Sequence, residues 1–148
     1  MFSKFIQSLW KWLANMGLLV TDSHEMRVAD GLRTWGAAHD GLALSVAPID
    51  NDLSIALKNL GDTDRTIHIA DWMVFYNVVT DVPVSGYGEL LLKAAAGKPR
   101  LQVTIHAGKF VETDLPMERL YSFEPNRKYS LVVECPLGLK SNTVEIVL

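Results

Sequence analysis

An antiparallel β-sandwich carried behind an N-terminal amphipathic α-helix is the fold that these 148 residues predict. Three observations predict it. From Leu42 onward apolar residues recur with period two in run after run, as strands with one buried face require. Turn-forming residues separate the runs: Asp50-Asn51-Asp52, Gly61-Asp62, Gly86, Gly97, Gly108, Pro125-Asn126 and Gly138. No helix long enough for a βαβ crossover is legible between them, which disfavours a parallel α/β sheet. Seven or eight short strands on this spacing make residues 42–148 a mainly β domain.

The chain opens differently. On a 3.6-residue period, Phe2, Phe5, Ile6, Leu9, Trp10, Leu13 and Met16 share one helical face. Ser3, Lys4, Gln7, Ser8, Lys11, Ala14 and Asn15 share the other. Trp10 and Trp12 lie near the two edges of the apolar face, where rings with a polar tip are stable at a water boundary. Ser3 is a natural N-cap, and Gly17 ends the regular pattern before Leu18-Leu19-Val20. Lys11, Gln7 and Asn15 would be costly inside a membrane span, and Lys11 breaks the apolar run that a cleaved signal peptide needs. Residues 1–20 therefore read as an interfacial or docking helix, its rival being a helix packed on its own domain. The candidate contact residues are Phe2, Phe5, Ile6, Leu9, Trp10, Trp12, Leu13 and Met16.

Residues 21–41 hold no sustained period and are punctuated by Gly31, Gly36 and Gly41. They read as a tether with one short ordered piece around Met26 to Trp35, with Trp35 folding back on the domain edge.

In the body, Leu42, Leu44 and Val46 alternate with small residues, and Leu53, Ile55 and Leu57 repeat the pattern. Ile67 and Ile69 follow, then a wide apolar run, WMVFYNVV, over 72–79. ELLLKAA at 89–95 is ambiguous and is read as a strand. Leu101, Val103 and Ile105 alternate against Gln102, Thr104 and His106. Tyr129, Leu131 and Val133, then Val144, Ile146 and Leu148, close the chain.

Three stretches carry a resemblance. FEPNRKYSLVVEC looks like the corner before the penultimate strand of immunoglobulin-like and fibronectin type III-like domains, where a proline turn precedes a tyrosine. SNTVEIVL is similar to their last strand, and LSIALKNLGDTDRTIHI to their early hairpin. The resemblance covers roughly residues 42–148, marks a fold rather than a narrower family, and implies that Tyr129 bonds backbone at the corner. The Cys–Trp–Cys core of antibody domains is absent.

Charge and motif content narrow the function. The net charge of −3 gives nucleic-acid binding no electrostatic support. Its distribution is uneven: residues 1–20 carry +2 from Lys4 and Lys11, which leaves −5 on residues 21–148. A basic apolar start on an acidic body points to membrane or partner contact at the N-terminus. Single Cys135, in an apolar run, excludes an intrachain disulfide and reads as a buried thiol. His24, His39, His68 and His106 lack metal-ligand spacing, although His68 and His106 on one sheet face would form a pair if they met across strands. Asp50, Asp52, Asp62 and Asp64 read as turn residues, and Met73 and Met117 as core. Gly86-x-Gly88 lacks both a third glycine and, on this reading, a following helix.

The expectation is a non-enzymatic binding or accessory subunit without cofactor. It docks through its first helix on a membrane interface or a hydrophobic partner protein, and sits peripherally on the cytoplasmic side. The alternatives are a self-assembling coat or filament subunit, in which a second copy is the partner, and an enzyme or metal-binding carrier using His68, His106 and the acidic loops at Asp50-Asn51-Asp52 and Asp62-x-Asp64. A further alternative is an inhibitor-like module presenting DVPVSGYG at 81–88.

Overall fold

The structure, a computed structural model, describes residues 27–147. It is mainly β, built from antiparallel sheets around one core. Strand β1 (Leu42–Ile49) turns at 50–51 into β2 (Asp52–Asn59), and β2 takes β6 (Phe110–Leu115) on its other side. A second unit pairs β3 (Arg65–Ile69) with β5 (Leu101–Ile105). A third centres on β7 (Lys128–Cys135), flanked by β4 (Asn77–Val79) on one edge and by β8 (Leu139–Lys140) and β9 (Val144–Val147) on the other. This is compatible with a β-sandwich.

The period-two residues make the core. Leu42, Leu44, Val46, Leu53, Ile55 and Leu57 are buried against Val103, Ile105, Leu131 and Val133 in one apolar cluster. Tyr129 is buried with them, and its hydroxyl accepts the Glu124 backbone N–H at 2.9 Å, the backbone bond that the resemblance implies.

Three readings are corrected. ELLLKAA is not a strand. Gly86–Ala96 forms α2, because Ser85 caps it by accepting the Gly88 N–H at 2.8 Å, and Leu, Glu, Lys and Ala are strong helix formers. Gly86-x-Gly88 therefore does open a helix. The run at 72–79 is likewise not one strand: Asp71 accepts the Met73 N–H at 2.9 Å and caps a single turn, α1 (Trp72–Phe75), before short β4. Finally, β2 and β3 make no early hairpin, since β2 pairs β1 and β6 while β3 pairs β5. One further turn, α3 (Met117–Leu120), has no signature in the period-two pattern and buries Met117 and Leu120.

The last strand is interrupted at 141–143, and side chains close the break. Ser141 Oγ accepts the Val133 N–H at 2.8 Å. Asn142 works as a piece of strand: its Oδ1 accepts the Val46 N–H at 2.9 Å and its Nδ2 donates to the Val46 carbonyl at 3.0 Å. Asn142 thereby joins the β7 sheet to the edge of β1. Asn142→Ala leaves both Val46 groups short of partners, so a stability loss of about 2 kcal/mol is expected from the urea midpoint, with Asn142→Asp intermediate because it keeps the acceptor. An alanine variant with the wild-type midpoint would show that water replaces the amide without cost.

Candidate functional site

The predicted contact residues Phe2, Phe5, Ile6, Leu9, Trp10, Trp12, Leu13 and Met16 lie outside the described residues. What the structure defines is the place where that segment is rooted. Residues 27–36 lie across the outer face of the β1–β2–β6 sheet. The Arg27 and Val28 backbone N–H groups donate to the two Glu112 carboxylate oxygens at 2.7 and 3.0 Å. The Arg27 guanidinium bonds Asp114 at 2.5 Å and sits 3.7 and 3.8 Å from Asp50 and Asp52. Its pKa rises, chiefly through the Asp114 hydrogen bond.

Arg33 is the buried centre of this clasp. Its Nη2 donates to Glu112 and to Ser54 Oγ, both at 2.5 Å, and its Nε donates to the Val28 carbonyl at 3.2 Å. The two side chains are only 0% and 4% exposed, so the ion pair is shielded from water. Burial pushes the Glu112 carboxyl up, but the Arg27 and Val28 amides, the Ser54 hydroxyl and Arg33 outweigh it and hold the group below the ordinary glutamate value. Arg33 also lies over the Phe110 ring, and Trp35 meets Phe110 edge-on at 6.1 Å. Asp30 takes bonds from Lys58 and the Trp35 indole, and the Lys58 bond leads in lowering its pKa.

The clasp then becomes part of the sheet. Trp35 bridges Ser45, and the Gly36 N–H donates to the Leu44 carbonyl at 2.9 Å, so residues 35–36 cover the edge of β1. A side chain at Gly36 would point into the backbone of β8, with its Cβ 2.0 Å from the Lys140 carbonyl oxygen.

The sequence predicts a short ordered piece around Met26 to Trp35 with Trp35 folded back on the domain edge, and Trp35 does bridge β1. The buried Arg33–Glu112 pair was not read from it, although a signal for a covered face exists. The outward positions of β1 and β2 include Ala43, Ser45, Ser54 and Ala56, all buried, and none of them is charged. A solvated strand face would carry charge there, so four small residues mark a face made to be covered.

The end of the molecule beyond β6 carries the helices. Gly88 of α2 lies against α3, so close that a Cβ would fall 2.2 Å from the Leu120 carbonyl oxygen. Residues 83–85 pair with 120–122 through Ser85 N–H to Leu120 O at 2.9 Å and Ser122 N–H to Pro83 O at 3.0 Å. DVPVSGYG is thus a docked connection running into a helix. An open depression of about 390 Å³ beside it is lined by Ser85, Glu118, Tyr121, Ser122, Phe123 and Pro125. Burial raises the Tyr121 pKa.

Among the described residues, His68 and His106 do not converge. His68 stands opposite Gln102, whereas His106 lies beyond the other end of the β3–β5 ladder and bonds Asp64 at 2.9 Å. Asp64 also accepts the Ala107 N–H, and its pKa is lowered, first by the His106 bond. Among the described residues no group of three or more His, Cys, Asp or Glu side chains is placed to hold a metal ion. Cys135 is half-buried, and burial raises its pKa, which leaves it a protonated thiol. No helix among the described residues is long and apolar enough to cross a membrane. Comparison of the chain with known proteins finds no matching family, no matching curated protein and no matching solved structure.

Proposed function

We propose that the chain is a non-enzymatic binding subunit: an immunoglobulin-like sandwich held against a membrane interface by its N-terminal amphipathic segment. The observation that carries this reading is the clasp. A docking segment is useful to a displayed domain only if its root is firm, and here Arg27 and Val28 are held through backbone as well as side chain. The strand partition supports the sandwich, with β1, β2 and β6 in one sheet and β4, β7 and β9 in another, together with the Tyr129 corner bond.

Burial of the face Phe2, Phe5, Ile6, Leu9, Trp10, Leu13 and Met16 would release several kcal/mol at about 25 cal/mol per Å², enough for reversible attachment after ordering costs. Vesicle co-sedimentation tests this. The full chain is expected to sediment with mixed zwitterionic and anionic vesicles, and a Leu9→Asp, Leu13→Asp double variant to bind at least tenfold more weakly while keeping its β-sheet circular dichroism. If the full chain ignores lipid but forms large assemblies that the double variant loses, the membrane is excluded and the face serves a protein groove or a second copy of the chain.

A further inference from the structure

Helix α2 is apolar over a wider arc than the domain covers. Gly88 and Ala95 are buried and Leu91 and Leu92 half-buried, while Glu89 and Lys93 face water. Between these two faces runs a stripe of Tyr87, Leu90 and Ala94, spaced i, i+3, i+7. Tyr87 is 57% and Leu90 68% exposed, two of the largest uncovered apolar side chains among the described residues. An ordinary surface helix places charge at such positions, and a stripe at this spacing is the surface that a second helix packs on.

We propose that this stripe is the docking surface for residues 2–16 of the same chain. The first argument is where the chain leaves the described structure. Arg27 is pinned to Asp114, three residues before α3 begins at Met117, and α3 carries α2 through Leu120 and Gly88. Residues 114–120 span at most about 20 Å, and the ten residues 17–26 reach about 33 Å when extended, so the segment can cover α2 without releasing the clasp.

The second argument is need. A helix of about 15 residues is marginal alone in water and requires an apolar surface to fold on. The third is concentration. A tether this short keeps the segment at about millimolar effective concentration near α2, well above the concentration of free copies in dilute solution. The occupant is therefore the chain's own segment rather than a neighbour's. The proposal rests on the same amphipathic reading of residues 2–16 as the function above, and adds the surface on which that face lies in the lipid-free protein.

Native lysines provide the test, because Lys4 and Lys11 lie in the segment and Lys93 on α2. The full chain is treated with an amine-reactive cross-linker in the absence of lipid, as an equal mixture of unlabelled and ¹⁵N-labelled protein, and all cross-linked species, monomeric and dimeric, are mapped by mass spectrometry. Cross-links from Lys4 or Lys11 to Lys93 are expected within single chains, at a yield independent of protein concentration. They should exceed links to Lys58, Lys109, Lys128 and Lys140, and fall at least fivefold in Leu90→Asp. Leu90 is exposed, so this variant keeps the fold, and its vesicle binding should equal or exceed that of the wild type. Links that join labelled to unlabelled chains would assign the stripe to a second copy and overturn the proposal. Absence of Lys93 links, or insensitivity to Leu90→Asp, would overturn it as well. A full chain that binds vesicles but gives no Lys93 links overturns this proposal and leaves the function above standing, so the two readings fail separately.

Discussion

Glu112→Gln is expected to lower stability by about 3–5 kcal/mol, more than Arg33→Met at the other end of the same ion pair. Glu112 accepts four hydrogen bonds, from the Arg27 and Val28 amides, Ser54 and Arg33. Neutralising it leaves the Arg33 guanidinium, 0% exposed, without a counter-charge. Removing Arg33 leaves the carboxylate with Ser54 and two backbone donors, so less is lost. The Arg33→Met, Glu112→Gln double variant should recover part of the loss of Glu112→Gln alone, because no unpaired charge remains buried. Urea unfolding of the three variants measures the order, and an Arg33→Met loss greater than that of Glu112→Gln would reverse the account.

The same group sets a pH dependence. The folded pKa of Glu112 lies below its unfolded value, because its hydrogen bonds outweigh burial. Its contribution is then complete above the ordinary glutamate pKa and is lost as pH falls through the lower folded value. Wild-type stability should decline over that acid window, and Glu112→Gln should decline less steeply there.

Gly36→Ala is the second large effect. The new Cβ would lie 2.0 Å from the Lys140 carbonyl oxygen and 2.9 Å from the Ser141 carbonyl carbon, both backbone atoms that no rotamer change can move. Either residues 35–36 leave the edge of β1, losing the bond from the Gly36 N–H to the Leu44 carbonyl, or β8 shifts away from β7. A loss of about 3 kcal/mol is expected, seen as a drop in Tm of roughly 10 °C. Limited proteolysis should then cut within 27–36 at sites protected in the wild type. Gly31, with open space around its Cβ position, is the control and should tolerate alanine. Equal behaviour of the two variants would mean that the Gly36 contact is not tight.

The strands were legible because each has one face on the core, and that imposes period two on the sequence. Leu53, Ile55 and Leu57, or Leu131 and Val133, are buried in the phase their alternation demands. Helix α2 was misread because its apolar arc is wide: Leu90-Leu91-Leu92 shows neither clear alternation nor a narrow stripe, and the deciding local signal was one capping serine, Ser85. The strand runs do not specify which strands pair, so the apparent hairpin at 53–69 is divided between two sheets.

By itself the sequence determined the mainly β class, the inward residues of the strands and most of the turns between them, which follow from local periodicity and turn chemistry. The corner bond of Tyr129 was implied by the resemblance of FEPNRKYSLVVEC to an immunoglobulin-like corner. Only the tertiary structure decided the strand order, the Asn142 bridge to Val46 and the clasp of residues 27–36, in which Arg33 meets a carboxylate 79 positions away. Such contacts join residues distant along the chain, and no local pattern encodes a partner that only folding brings near.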